Sequence, residues 1–225
     1  MAKTTVRTKR SGSQLSQEAI IDASLRLAAR GSADAFTVRR LGEELGADPT
    51  AIYRHFRDKD ELVLSVADRA YGEVLDGVPD GLSWQDRLRA LARESFRVAL
   101  KYPAVAAGTL SRTTRRPNEF RIVELILGAI AEAGLDGAAA AVHYRAWGDA
   151  MLAHVGQHAA YALYDPEIRA GDEGSWTREY RTVDPVRFPR ITRLSAELAA
   201  VTTQQVFDVQ VEALILAIAN AGSSG

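Results

Sequence analysis

"TVRRLGEELGADPTAIYRHFRDKDEL", residues 37–62, holds two very short helical patterns and, among them, Arg39, Arg40, Arg54, Arg57 and Lys59. Helices of roughly seven or eight residues are marginal alone because nucleation is costly, so packing must hold these two and their outer faces are free for another task. Thr37 can cap the first, whose Val38, Leu41 and Leu45 share a stripe, and Gly46 ends it where left-handed backbone is wanted. Asp48 caps the second. Pro49 sits in its first turn, where a missing N–H is no loss, and Ile52 and Phe56 form its short apolar stripe. Asp58 and Glu61 stand at capping-box spacing and open a longer helix that runs to about Val78.

With Ile52 turned inward, Thr50 and Arg54 point away from the core, flanked by Ala51, Tyr53 and His55. A hydroxyl, a methyl, a phenol, a guanidinium and an imidazole on one strip, with no acid after Asp48, suit the edge of a nucleic-acid duplex. Two short helices joined by a tight turn and steadied by a preceding helix match the helix-turn-helix arrangement, whose second helix enters the major groove. The preceding helix starts at Ser16, carries Ile20, Ala23, Leu27 and Ala28 on one stripe and stops at Gly31.

Charge supports one basic end. Residues 1–59 carry eleven Lys/Arg against seven Asp/Glu, a balance of +4, and the rest carries seventeen against twenty-two, or -5, which together give the net -1. That excess fits a polyanion partner or a solvated surface equally well until a motif stands behind it. Residues 1–15, with four basic side chains and no acid, read as a disordered basic arm.

The chain of 225 residues has no cysteine, which excludes disulfides, thiolate zinc sites and a cysteine nucleophile. It has no run of about 18 apolar residues and no signal-peptide pattern, so a cytoplasmic protein without a membrane partner is expected. No phosphate-binding loop, dinucleotide fingerprint, nucleophile elbow or zinc-protease motif occurs, so neither an enzyme nor a cofactor is expected. His154 and His158 are spaced as a metal pair would be, with His143 on the same helix, yet no carboxylate or third ligand joins their stripe, and no metal site is assigned.

Beyond Asp80 the periodicity predicts helices over 83–101, a short one after Pro103, then 117–133, 138–163, 190–200 and 204–219. Between Tyr164 and Pro189 the residues Pro166, Gly171, Gly174, Pro185 and Pro189 break the pattern, which predicts a lid or a disordered stretch; 222–225 read as a flexible tail. Helix 138–163 carries two stripes. Gly148, Leu152, Val155 and Ala159 are small or aliphatic and fit a close helix contact, within the core or across a dimer together with Phe207, Val211, Leu214 and Ile218 of the last helix. Trp147, Met151 and His154 lie on the other, which is core or, with Phe96 and Tyr102, the wall of a pocket for an apolar or aromatic small molecule.

Taken together, "TVRRLGEELG", "IYRHF" and "DKDEL", preceded by "IIDASLRLAARG", resemble the DNA-binding signature of the TetR family of transcriptional regulators over residues 16–65. "FDVQVEALILAI" near the C-terminus is similar to the last helix of the tetracycline-repressor-like branch. The resemblance implies an all-α protein: a three-helix DNA-binding head of residues 16–60 and a larger helical body, 61–221, that binds an effector and forms a homodimer. It implies a repressor of double-stranded, palindromic operator DNA released by a small molecule. Arg39 then reaches a base, Thr50, Ala51 and Arg54 face the groove floor, and Thr37, Tyr53, His55 and Lys59 hold phosphates. Pro49 departs from the pattern, since it offers no N–H. Other readings stand beside these: Tyr53 as a packing residue, His55 as a helix C-terminal cation, Arg40 and Arg57 as solvated side chains, and the whole chain as an effector-binding or scaffold protein whose head has lost DNA binding.

Overall fold

Apolar stripes at helical spacing, separated by caps and short turns, become helices that bury those stripes against one another. The computed structural model describes residues 15–30, 37–109 and 111–223, and all regular structure among them is helical. The expected basic arm up to residue 14, the Gly31 stop and the last two residues lie outside the described residues. The helices are α1 (Gln17–Ala28), α2 (Val38–Leu45), α3 (Pro49–Ile52), α4 (Lys59–Asp76), α5 (Trp84–Lys101), α6 (Pro103–Thr109), α7 (Pro117–Glu132), α8 (Gly137–Ala162), α9 (Pro166–Arg178), α10 (Pro189–Ala200) and α11 (Thr203–Gly222).

α1 to α3 close around Ile20, Ala23, Ala28, Leu41, Ile52 and Phe56, with Leu62 from the start of α4 completing the small core. Three ion pairs brace it from outside, Glu44 with Arg26 and with Arg30, and Asp22 with Arg69. α4 then runs on into the body, where it packs against α5, α6 and α7. α8 lies across α5, α6 and α7, and α11 covers α5 and α8. The head and body therefore share one helix.

One cap is supplied from a distance. Arg116, at the start of α7, makes no side-chain cap, and the buried Asp68 of α4 replaces it by accepting from the backbone N–H groups of Asn118 and Glu119 at 3.1 and 3.0 Å. This satisfies orphan donors of α7 and pins α7 to α4.

Within 164–189, α9 is an ordered helix, which overturns the disordered alternative and leaves the lid untouched. Asp165 caps it by accepting from Glu167 N at 2.8 Å, and Pro166 takes the first turn, where its missing N–H is harmless. Neither α9 nor α10 contributes a buried residue, so no apolar stripe announces α9 in the sequence. The predicted tail is also shorter: α11 continues through Gly222, which lies against the backbone of Ala133 at the end of α7.

Candidate nucleic-acid interface and ligand cavity

The head's outer surface is built by two caps and one turn. Thr37 Oγ1 accepts from Arg40 N at 3.2 Å to start α2, and Asp48 Oδ1 accepts from Thr50 N at 2.8 Å to start α3. Between them Gly46 adopts φ +61°, a left-handed value that an L side chain resists. Gly42 is buried where the chain folds back, and a Cβ there would meet Ala47 O at 2.8 Å. The turn thus admits no larger residue without moving α3.

α3 is shorter than its stripe suggested. It spans four residues, and Tyr53 to Asp58 continue in tight turns with Arg54 and His55 N–H groups bonding three residues back, to Ala51 and Ile52. The tighter winding still buries Ile52 and Phe56. Thr37, Arg39, Thr50, Tyr53, Arg54 and Lys59 are exposed, while Ala51 and His55 are half-buried. None of the eight expected contact residues is buried. Arg40, Arg54 and Lys59 make no ion pair among the described residues, and Arg39 has only an exposed partner one turn on, Glu43 at 3.5 Å. The Thr50 hydroxyl is turned back onto Asp48 at 2.6 Å, a bond that, with the Thr50 N–H, holds the Asp48 carboxyl below its usual range. His55 is fixed through its carbonyl, which accepts from Gln17 Nε2 at 2.6 Å.

In the body, α4 to α8 enclose an open-mouthed cavity of about 170 Å3. Tyr102, Trp147 and Met151 line it as expected. Phe96 and His154 do not: they turn to the other side of α5 and α8 and stack with Phe207 and His158, the His154 ring 5.6 Å from Phe96 and 5.0 Å from Phe207. Burial, then the neighbouring His158, lowers the His154 pKa below 6.5. Its Nε2 has no hydrogen-bond partner among the described residues, although Gln210 stands near enough to oppose part of that shift.

The expected dimer stripe is also redistributed. Gly148, Leu152 and Val155 line the cavity, Ala159, Phe207, Val211 and Ile218 are buried within the protomer, and Leu214 is half-buried. α8 and α11 are apolar on more than one side, and most of the stripe singled out from the sequence is buried or lines the cavity within this protomer, while Leu152 stays exposed. The most outward apolar residues of these helices are Val142 at 66%, Val209 at 70% and Leu216 at 60% exposure.

Sequence reasoning missed the polar end of the cavity. Tyr71 of α4, Glu119 of α7 and Tyr144 of α8 all line it. Tyr144 stands three residues before Trp147 on the same stripe, a signal that was available; Tyr71 and Glu119 come from separate helices and share no sequence pattern. Burial, followed by the charges of Glu119 and Asp68, pushes the Tyr71 phenol up to about 12, so it stays a proton donor.

With this geometry in place, likeness to known proteins decides the family. The profile of "Bacterial regulatory proteins, tetR family" matches residues 20–66, and that of "Tetracyclin repressor-like, C-terminal domain" matches residues 78–219, well over half of the chain. The chain belongs to the TetR family. Its members are transcriptional regulators, and the head described above is their helix-turn-helix. An HTH-type transcriptional regulator of Saccharopolyspora erythraea is 33% identical over 120 residues, 53% of this chain and 51% of that protein. An HTH-type transcriptional repressor of Mycobacterium tuberculosis is 29% identical over 135 residues, 57% of this chain and 52% of that protein. The chain thus spans about half the length of the curated relatives it matches. The fold extends further: the TetR family protein ActR of Streptomyces coelicolor, in a structure with actinorhodin, superposes with a TM-score of 0.78 at 20% identity, over 93% of this chain and 99% of that one. No helix among the described residues is long and apolar enough to cross a membrane.

Proposed function

We propose that this regulator is a repressor that binds palindromic operator DNA as a homodimer and releases it when a small molecule fills the cavity. The observation that carries the reading is α4, which closes the head core with Leu62 and forms the cavity wall with Ala67, Ala70, Tyr71 and Val74. Three further ties fix its head end to the body. Arg112 grips Asp60 with two hydrogen bonds of 2.8 and 2.7 Å, Arg116 reaches the Glu61 carbonyl at 3.4 Å, and Asp68 holds α7. A ligand touching α4 is therefore one rigid element away from the groove-facing surface. It changes DNA affinity only by binding one head arrangement better than another, and typical coupling of about 1–3 kcal/mol corresponds to roughly 5–150-fold. That the similarly folded ActR is seen in complex with actinorhodin supports a small-molecule ligand.

On DNA, Arg39 and Arg54 supply guanidinium groups for base edges, Thr50 and Ala51 approach the groove floor, and Thr37, Tyr53, His55 and Lys59 meet phosphates. An operator recovered from random duplexes, titrated by fluorescence anisotropy across a salt series, tests this. Arg39→Ala should cost about 1–3 kcal/mol and relax preference at one base pair per half-site, whereas Lys59→Ala should weaken all sequences alike and lower the salt slope by about one. Variants that bind and discriminate as the parent does would remove these residues from the interface.

The dimer uses the outward faces of α8 and α11, because one short recognition helix reads too few bases and a two-fold partner doubles the site. Such a regulator works in the cytoplasm, on the chromosome. Sedimentation should give twice the chain mass of 24.4 kDa, and Leu216→Glu should give single chains that remain helical. A parent that sediments as a single chain at micromolar concentration rules the dimer out.

A further inference from the structure

The cavity has two chemically distinct ends, and the difference selects its ligand. Most of its wall is aliphatic or aromatic, with Trp147, Met151, Tyr102, Leu91 and Ile126 among its large buried members. Among the described residues, Glu119 is the only charged side chain in the lining. Two basic residues of the loop before α7 turn elsewhere, Arg112 to Asp60 and Arg116 to the carbonyls of Thr114 and Glu61, while the exposed Arg115 is outside the lining and its charge is felt at Asp60. Glu119 Oε2 accepts from Thr114 Oγ1 at 3.0 Å and from Arg115 N at 2.5 Å, which fixes the carboxylate in place. Its Oε1 has no hydrogen bond among the described residues, and neither do the phenol oxygens of Tyr71 and Tyr144. Both phenols feel the Glu119 charge, which after burial is the next cause raising their pKa, so the three groups form one cluster with the phenols protonated.

An apolar cavity of about 170 Å3 resembles in size the roughly 150 Å3 engineered cavity that admits benzene. Its open mouth leaves room for somewhat more than one ring. A guest here desolvates a carboxylate oxygen, and a buried acceptor left without a donor is costly. A guest carboxylate would add a second negative charge beside the first, with no cation among the described wall residues to offset it. From this geometry we infer that the effector is a mainly apolar, ring-bearing molecule with a hydroxyl or protonated amine directed at Glu119, Tyr71 and Tyr144, and that carboxylic acids are excluded. This rests on the proposal that the cavity is the effector site, and it adds the class of molecule.

Three probes sharing one ring system isolate the polar end: 1-naphthol, 1-naphthylmethylamine and 1-naphthoate, titrated calorimetrically into the full chain at pH 7. The hydroxyl and amine probes should bind at least about tenfold more tightly than naphthoate. In Glu119→Gln, which keeps the shape and an acceptor oxygen, the ratio of amine to acid affinity should fall by about tenfold, since a charge-assisted bond becomes neutral. Circular dichroism confirms that the variant is folded, and the ranking in the parent stands as a test without it. Naphthoate binding as tightly as the other two, an amine-to-acid affinity ratio unchanged in folded Glu119→Gln, or no binding by any probe would overturn the inference. Operator release plays no part in the measurement. The predicted ranking without any effect on DNA would uphold the ligand class and refute the repressor switch.

Discussion

α3 and α9 begin alike and end differently. Each opens on Asp-Pro, with Asp48 or Asp165 accepting from the N–H two residues on at 2.8 Å and the proline in the first turn. α3 is four residues long and holds because Ile52 and, just beyond it, Phe56 enter the head core; α9 is thirteen residues long and contributes no buried residue. A cap decides where a helix starts, worth about 1 kcal/mol, but packing decides whether it is fixed in place. The head is consequently a small, well-tied surface, and the arm of α9 and α10, packed mainly on itself, is the least anchored part of the body.

Substitution at matched apolar positions gives the sharpest contrast. Ile52→Ala should cost about 2–5 kcal/mol in chemical denaturation and abolish DNA binding, whereas Ile168→Ala, on the exposed face of α9, should change protomer stability by no more than about 0.5 kcal/mol. Equal costs at the two sites would mean that α9 is packed as firmly as the head.

A smaller effect belongs to the body's aromatic cluster. The fold favours neutral His154, whose folded pKa lies below 6.5. The stability it contributes is complete above about 6.5 and is lost as pH falls through the lower folded value. Melting temperature should therefore decline between pH 7 and 5, and His154→Phe, which can stack on Phe96 and Phe207, should flatten that decline. A parent slope that survives the substitution unchanged would assign it to other groups.

The same contrast explains what the sequence could and could not tell. The head was readable because its signals are local: Thr37, Gly46, Asp48 and Asp58 each do in the structure what their residue type favours. The length of α3 was not, because Phe56 stays on the buried side after the helix has given way to tighter turns. α9 was missed for want of an apolar stripe. In the body, the residues facing inward on α8 and α11 were identified as apolar but not assigned to a side, since Val211 and Val209 look alike in sequence and only tertiary packing buries the first and exposes the second. The polar end of the cavity needs three helices to meet, and no spacing along the chain records that.

The central claim is that occupancy of the cavity is felt at the DNA surface through α4, and it can be tested without knowing the effector. Gly148 lies in the cavity wall on α8, away from α4, and a Cβ there meets nothing within 4 Å. Gly148→Phe places a ring in the cavity as a built-in ligand. Operator affinity, measured by anisotropy on a variant shown by circular dichroism to be folded, should weaken by about 5–150-fold while the salt slope, set by untouched phosphate contacts, stays the same. A folded Gly148→Phe protein that binds operator as tightly as the parent would contradict the account.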